Sequence, residues 1–353
     1  MNNILLLGGT GAMGAHLVSL LSQSADNQIY VTTRSNHNNY GNIYYIVGNA
    51  HDANFLIPLL KKQHWTAIID FMVYSTIEFS HLVDIFLNST DQYVYLSSSR
   101  VYAQSESPIK EDSLRLLDAI HDNVYLNTDE YALAKARQEN ILIKSGKTNW
   151  TIVRPYITYS ENRLQLGVLE KESWLYRALK GRTIVIPKNI LEKHTTLTYG
   201  RDVAQVMTAL IGNPEAYNEA FHITVGETHT WKEILNIYID AIERYTGKNV
   251  KIHLLDKNPY QLGDKSFYQM IYDRYYNRIF DNSKIGKFIN INSFTPTLDG
   301  LRKCIDSFLI TQKFRNINWK DEARRDRITS EYPQIKEFPN IKTILRYYVN
   351  RFM

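Results

Sequence analysis

A glycine-rich turn near the start of the sequence limits the choice of fold more than any other feature. The aliphatic run Ile4–Leu7 is followed directly by GGTGAMG at residues 8–14, and a helical pattern comes next. A glycine turn between a strand and a helix is typical of sites that hold a dinucleotide pyrophosphate at the helix N-terminus. There Gly8 permits the tight turn, Gly11 lets the backbone approach the pyrophosphate, and Gly14 lets helix and strand pack closely. The segment therefore predicts a dinucleotide site, with a purely structural turn as the alternative.

Short apolar runs alternate with longer amphipathic stretches through residues 1–155. The runs predict strands at Ile4–Leu7, Ile29–Thr33, Tyr44–Val47, Ala67–Phe71, Tyr93–Ser97 and Thr151–Arg154. The stretches between them predict helices, among them Ala12–Gln23, Phe55–Lys62, Glu78–Asn88 and Tyr131–Ser145. Strands that are apolar on both faces and alternate with helices indicate a parallel sheet covered on both sides. The expected fold class is α/β, with a doubly wound parallel sheet.

The regular alternation weakens after Pro155, and no linker marks a clean domain boundary. We predict a dinucleotide-binding domain at residues 1–155, with 195–227 returning to it. Residues 156–194 and 228–353 are expected to form a smaller, interwoven, mostly helical C-terminal lobe that binds substrate and ends in a helical tail. The apolar, aromatic end of that tail predicts a docked helix, with a membrane-surface or partner-binding helix as the alternative.

A second motif, Tyr131-Ala-Leu-Ala-Lys135, places a phenol and an ammonium on one face of a helix, about one turn apart. The cation should lower the pKa of the phenol and make it a usable acid or base near neutral pH. Taken alone the motif is weak, because a chain with 25 tyrosines contains such spacings by chance. Here, however, the motif follows the strand Tyr93–Ser97, whose end continues into Ser98-Ser99-Arg100-Val101-Tyr102, where doubly wound folds bind ligands.

Together these motifs resemble the extended short-chain dehydrogenase/reductases, a group of nucleotide-sugar epimerases, dehydratases and reductases. The resemblance lies in the Gly-x-x-Gly-x-x-Gly spacing and in Ser-Ser-x-x-Val-Tyr before Tyr-x-x-x-Lys. It implies a Rossmann sheet and a nicotinamide cofactor that carries the hydride. It also implies that Tyr131 exchanges a proton with a sugar hydroxyl or ketone, that Lys135 holds the nicotinamide ribose, and that Ser98 hydrogen-bonds the same sugar oxygen.

The end of the second predicted strand bears on the choice of cofactor. The acidic residue that would hold a free ribose 2′-hydroxyl is missing, and Thr33 stands near its place. The next residue, Arg34, could bind a 2′-phosphate, which favours NADP. The alternative is that Arg34 stacks on the adenine and is indifferent to the phosphate, which is compatible with NAD. The cofactor contacts that we expect are Gly8, Thr10, Gly11, Ala12, Met13, Gly14, Arg34, Asn49, Ala50, Phe71, Lys135 and Pro155.

The residues after Ser98 bear on the reaction. Sugar 4,6-dehydratases of the resembled group need a further acid and base, and Ser99-Arg100 supplies no carboxylate. This leaves reduction of a 4-keto nucleotide sugar, slightly favoured by the NADP preference, or epimerisation through a transient ketone. Ser99 and Arg100 are substrate candidates, Arg100 either binding an anionic group of the sugar or pairing with a neighbouring carboxylate. A non-catalytic regulator that binds a dinucleotide or RNA is a further alternative.

The resemblance also suggests how the substrate and a second subunit are bound. Basic residues that are candidates for binding the nucleotide diphosphate are Lys171, Arg177, Lys180, Arg182 and Arg201. Members of the group often dimerise through the helix of the Tyr-x-x-x-Lys motif. In this chain the small or aliphatic residues Ala132, Leu133, Ala134 and Ala136 favour a homodimer with a close approach there.

Composition excludes several other classes of protein. Lys and Arg number 41 and Asp and Glu 36, so the net charge of +5 is too mild to indicate nucleic-acid binding. No stretch reaches the roughly 18 apolar residues of a membrane span, and no secretory signal is expected at the N-terminus. Cys304 is the only cysteine, which excludes an intramolecular disulfide and favours a cytoplasmic protein. The histidines show no metal spacing, so no metal is expected.

Overall fold

A computed structural model describes residues 1–256 and 266–352 of the chain. By its contacts the chain divides into two compact units. The first comprises Met1–Ser160, Thr196–Glu227 and Ile279–Thr297, and the second comprises the described parts of 161–195, 228–278 and 298–353. Each unit is therefore built from three separate stretches of the chain.

The strands and helices of the described residues have the following bounds. The strands are β1 Asn2–Leu7, β2 Asn27–Thr33, β3 Ile43–Val47, β4 Trp65–Asp70, β5 Thr90–Leu96, β6 Trp150–Pro155, β7 Ile157–Tyr159, β8 Gln165–Leu166, β9 Leu169–Glu170, β10 Ile184–Pro187, β11 His194–Thr195, β12 Leu197–Tyr199, β13 Glu219–Ile223, β14 His229–Thr230 and β15 Ile252–Leu255. The helices are α1 Gly14–Leu21, α2 Ala53–Lys61, α3 Thr76–Asn88, α4 Leu116–Ala119, α5 Asn123–Leu126, α6 Tyr131–Lys144, α7 Lys171–Leu179, α8 Gly200–Leu210, α9 Trp231–Thr246, α10 Phe267–Gln269, α11 Thr297–Thr311, α12 Trp319–Thr329 and α13 Ile341–Phe352.

The first unit is built around a seven-stranded sheet in the order β13-β6-β5-β4-β1-β2-β3. All of its neighbouring strands pair in parallel. The strand order reverses beside β1, as in a doubly wound sheet. The predicted α/β fold class is therefore confirmed, and each of the six strands predicted in residues 1–155 corresponds to one of β1–β6.

The run in β1 is apolar throughout because both of its faces are buried. Ile4 and Leu6 belong to a core cluster that also contains side chains of α1 and α8. Leu5 and Leu7 point the other way, into a cluster with side chains of α2 and α3. Since successive side chains of a strand alternate between the faces of a sheet, helices on both sides require an unbroken apolar strand.

In the second unit, a buried ion-pair network joins α7 to α12. The guanidinium of Arg177 is fully buried and lies 2.9 Å from Glu322 and 2.6 Å from Asp326. Arg182 lies 2.9 Å from Asp326 and 3.2 Å from Glu337. The expectation that Arg177 and Arg182 bind a diphosphate was therefore wrong, because carboxylates of their own unit already neutralise both.

The remaining basic candidates differ in exposure. Lys171 is buried, with Nζ 2.5 Å from Glu172 and over the ring of Phe308, so it too is engaged. Lys180 and Arg201 are exposed.

The small residues of α6 do not form an exposed surface. Ala132, Leu133, Ala134 and Ala136 are all buried within the chain itself. The expectation that these four side chains allow a second copy to approach closely was therefore wrong, because their own unit already covers them.

Candidate functional site

The glycine turn after β1 has the geometry that its sequence predicts. Gly8 has a φ of +72°, a conformation that glycine adopts without strain, and its amide donates to Thr32 Oγ1 at 2.9 Å. A Cβ on Gly14 would lie 2.5 Å from the carbonyl oxygen of Gly9, so the turn closes on the first residue of α1. A Cβ on Gly11 would meet nothing within 4 Å. The turn is thus tightly packed at Gly14 and open at Gly11.

One glycine that the sequence analysis did not single out also shapes this turn. Gly200 begins α8, and a Cβ at Gly200 would lie 2.6 Å from the carbonyl oxygen of Ala12. The N-terminus of α8 therefore packs directly against the turn between β1 and α1. In the sequence, the only signal is a glycine immediately before a helical pattern.

Three of the other expected cofactor contacts lie at the ends of further strands of the same sheet. Arg34 comes directly after β2, Phe71 directly after β4, and Pro155 is the last residue of β6. Because parallel strands end at the same edge of a sheet, these residues lie along the edge that also carries the glycine turn. Arg34 is exposed, whereas Phe71 is half-buried and Pro155 is buried.

The residues between β3 and α2 form a polar turn. Asn49 is exposed, and its side-chain oxygen accepts from the amide of His51 at 3.2 Å. Ala50 beside it is buried. The side chain of Asn49 therefore stabilises this turn. Any contact of Asn49 with a ligand would be made in addition to this hydrogen bond.

The Tyr-x-x-x-Lys motif lies at the start of α6. Tyr131 is the first helical residue, and Lys135 lies one turn later on the same face. The side chain of Lys135 is buried, and its Nζ donates to the carbonyl of Leu96 at 2.7 Å and to that of Met72 at 3.4 Å. The ammonium also lies 4.5 Å from the ring centroid of Tyr95. Burial lowers the pKa of Lys135 to about 8, although nearby carboxylates oppose that shift.

Ser98 lies at the start of a 3₁₀ turn, Ser99–Val101, that follows β5. Its Oγ accepts from the amide of Arg100 at 3.2 Å, and this turn packs against α6. Ser99, in contrast, is fully buried and donates to the carbonyl of Arg154 at 2.7 Å. The expectation that Ser99 contacts substrate was therefore wrong, since its hydroxyl faces the core and holds β6.

Arg100 connects the serine turn to the tyrosine helix. Its Nη2 donates to Glu130 at 2.7 Å, and its guanidinium carbon lies 5.2 Å from the ring centroid of Tyr131. Glu130 is the N-cap of α6 and accepts from the amide of Ala132. Of the two alternatives for Arg100, the structure shows the ion pair with a neighbouring carboxylate, although Arg100 Nε is buried with no hydrogen-bond partner.

A buried carboxylate near Lys135 was missed by the sequence analysis. Asp70 ends β4 and accepts from Tyr93 OH at 2.7 Å and from the amide of Met72 at 2.9 Å. Burial raises the pKa of Asp70, while these hydrogen bonds and the charge of Lys135 oppose the rise. The only signal in the sequence is an acidic residue at the end of an apolar strand.

These residues fit a bound dinucleotide. The open space at Gly11 lies at the N-terminus of α1, where backbone amides and the helix dipole favour an anion. The exposed guanidinium of Arg34 and the buried ammonium of Lys135 follow at the same sheet edge. Among the described residues no cluster of acidic, histidine and cysteine side chains could hold a metal ion.

A protein-family model matches most of the first unit. The model described as the NAD dependent epimerase/dehydratase family matches residues 4–226. Among curated proteins, the chloroplast stem-loop binding protein of 41 kDa b of Arabidopsis thaliana is 25% identical over 239 residues. That match covers 63% of this chain, and it spans only 58% of the length of the Arabidopsis protein.

Solved structures with the same fold cover 88% of this chain. Epimerase Mth375 of Methanothermobacter thermautotrophicus has a TM-score of 0.68 at 15% identity, with 93% of its chain covered. UDP-glucuronic acid 4-epimerase of Bacillus cereus, in complex with UDP-glucuronic acid and NAD, has a TM-score of 0.65 at 15% identity, with 100% of its chain covered. UDP-N-acetylglucosamine 4-epimerase of Methanobrevibacter ruminantium M1 has a TM-score of 0.64 at 19% identity, with 99% of its chain covered. At these identities the likeness establishes a shared fold.

Proposed function

Because the chain belongs to the NAD dependent epimerase/dehydratase family, we propose that it transfers hydride between a nicotinamide cofactor and a carbon of a nucleotide sugar. One observation carries this proposal: Tyr131 and the buried Lys135 lie one turn apart on α6, against the turn that carries Ser98. A phenol, an ammonium and a hydroxyl at one sheet edge are the groups that a carbonyl-to-alcohol conversion requires.

Each side chain has a distinct task in this reaction. Tyr131 gives its hydroxyl proton to the sugar oxygen during reduction and takes it back during oxidation. Ser98 donates a hydrogen bond to the same oxygen, because its Oγ accepts from the amide of Arg100 and keeps its own proton. The charge of Lys135 stabilises negative charge that develops on Tyr131. When bound, NAD(P) supplies or accepts the hydride.

The surroundings of Ser98 support a reaction without elimination of water. Elimination needs an acid and a base beside the sugar ring in addition to Tyr131. Ser99 is hydrogen-bonded into the core, and Arg100 is paired with Glu130, so this turn provides neither. We therefore propose reduction of a 4-keto nucleotide sugar, with Arg34 binding the 2′-phosphate of NADPH.

Epimerisation at C4 is the second candidate. Structures similar to this one include a UDP-glucuronic acid 4-epimerase solved with NAD, and the same Ser98, Tyr131 and Lys135 would serve both half-reactions. The difference lies in the cofactor, because an epimerase returns the hydride and a reductase consumes it.

Product analysis with the purified full chain separates these reactions. A panel of 4-keto and 4-hydroxy nucleotide sugars is incubated with NADPH, NADH or NAD, and products are identified by NMR. A reductase consumes one NADPH per alcohol formed, whereas an epimerase interconverts the two 4-hydroxy sugars without net consumption. Absence of both reactions with every nucleotide sugar and cofactor would refute the proposed activity.

A regulatory role is the third candidate, since the Arabidopsis relative is named for stem-loop binding. The same preparation is titrated with stem-loop RNA in a mobility-shift assay. RNA binding that is unchanged in Tyr131→Phe, together with no hydride transfer by the wild type, would favour this role over catalysis.

A further inference from the structure

Helix α13 exposes a row of large apolar side chains. Ile341 is 74% exposed, Leu345 64% and Phe352 70%. Tyr348 and Val349 lie between them in sequence and are also exposed. A folded monomer rarely leaves such a contiguous apolar row exposed to water. We therefore expect another molecule to bind this surface.

The row occupies its own face of the helix. At about 100° per residue, the five apolar positions fall within an arc of about 100°. Tyr347 and Arg351 lie on a different side and are buried, which docks α13 onto its own unit. Lys342 and Arg346 are exposed and flank the apolar row on the side away from the buried face. The helix therefore has a docked face, an apolar face and a basic edge.

The net positive charge of the chain comes from the C-terminal region that contains α13. Residues 312–353 contain 10 Lys and Arg and 5 Asp and Glu, a balance of 10 − 5 = +5. The whole chain has 41 − 36 = +5, so residues 1–311 are neutral in sum. Helix α13 itself has three basic residues, Lys342, Arg346 and Arg351, and no acidic one.

A basic cavity lies beside the basic edge. It measures about 650 Å³, and its charged lining residues are Arg315, Lys320, Arg346 and Glu337. Glu337 is already engaged, since it accepts from Tyr176 OH at 2.8 Å and from Arg182 at 3.2 Å. The cavity therefore presents an excess of positive charge, and Arg346 belongs both to this cavity and to α13.

We propose that α13 binds an anionic lipid surface. The apolar row enters the boundary between headgroups and acyl chains, while Lys342, Arg346 and the basic cavity contact lipid phosphates. A second copy of this helix is a poorer occupant, because like charges along both helices would repel. In the described residues no helix is long and apolar enough to cross a bilayer. We place α13 on the lipid surface because its 12 residues extend only about 18 Å and its apolar row covers one face. The inference does not depend on the proposed catalytic function.

Vesicle co-sedimentation of the full chain tests this inference. Wild type is mixed with phosphatidylcholine vesicles that contain either no anionic lipid or about 30 mol% phosphatidylglycerol. We expect binding to the anionic vesicles that is at least about tenfold stronger, and that weakens when the salt concentration is raised to about 0.5 M.

Two variants on α13 and one matched control locate the surface. Ile341→Glu adds a charge to the apolar row, and Arg346→Glu reverses the basic edge; both positions are exposed, so thermal unfolding should stay close to that of wild type. Each is expected to lower vesicle affinity by about tenfold. Ile310→Glu makes the same change at an exposed isoleucine of α11 and is expected to leave binding unchanged.

Three results would overturn the inference. The first is equal or undetectable binding of wild type to neutral and anionic vesicles. The second is equal loss in Ile341→Glu and Ile310→Glu. The third is a self-association in sedimentation equilibrium that Ile341→Glu abolishes, because it would make a second copy the occupant of the apolar row.

Discussion

The guanidinium of Arg100 covers the ring of Tyr131, with 5.2 Å between the guanidinium carbon and the ring centroid. The same guanidinium pairs with Glu130, the N-cap of the helix that Tyr131 begins. One side chain from the serine turn thus holds both the start of α6 and the face of its tyrosine. This contact therefore links the turn that follows Ser98 to the helix that Tyr131 begins.

Replacing Arg100 should therefore affect the chemical step more than substrate binding. In Arg100→Gln we expect kcat to fall about tenfold with little change in KM, because the cation over Tyr131 and the pair with Glu130 are both lost. Steady-state kinetics measure the two constants, and Arg302→Gln, which removes an exposed pair with Asp299, is the control. A raised KM with unchanged kcat would instead place Arg100 on the substrate.

Two glycines of the turn should respond differently to alanine. Gly14→Ala should lower the free energy of unfolding by about 1–3 kcal/mol, because its Cβ would collide with the Gly9 carbonyl. Gly11→Ala should leave stability within about 1 kcal/mol, since its Cβ has room, and should weaken cofactor binding about tenfold by filling the space that a pyrophosphate approaches. Denaturant unfolding and cofactor titration test the pair. Unchanged cofactor affinity in Gly11→Ala would move the pyrophosphate elsewhere.

The pH dependence of activity should reflect Lys135. Burial lowers its pKa to about 8, so the ammonium loses its proton, and the rate declines, as the pH rises through that value. Asp70 opposes the lowering, so in Asp70→Asn the alkaline decline should begin at lower pH. The profile of kcat/KM reports this shift, with the exposed Asp84→Asn as the control. A decline that stays in place would show that Asp70 does not act through its charge.

The choice of cofactor should depend on Arg34. In Arg34→Gln we expect NADPH affinity to fall about 10–100-fold with NADH affinity unchanged, because hydrogen bonds to a charged group are worth about 1.5–3 kcal/mol. Fluorescence titration with each cofactor measures both affinities. An equal loss for both cofactors would show that Arg34 stacks on adenine.

The sheet of the first unit could be predicted because its signals are local. An apolar run such as Ile4–Leu7 predicts a strand that is buried on both faces, and helices directly follow β1, β3 and β4. The glycine turn was also predictable, since Gly14 meets the carbonyl of Gly9, which is close in the chain, and Gly8 is required by its own positive φ.

Features that depend on distant partners could not be predicted. Ser99 resembles Ser98 in sequence, but its acceptor is the carbonyl of Arg154, 55 residues later. Arg177 is a candidate for diphosphate binding from its sequence context, but its partner Asp326 is 149 residues away. A single residue type does not indicate which way its side chain faces, so the roles of such residues required the fold.

Single-turnover hydride transfer in Tyr131→Phe tests the central claim most directly. The variant keeps the ring beneath Arg100 and removes only the hydroxyl. With a nucleotide sugar that the wild type converts, we predict a loss of about 10²–10⁴ in rate, with cofactor affinity and thermal stability unchanged. A rate within about threefold of wild type would contradict the assignment of Tyr131 as the acid and base, and with it the mechanism built on α6.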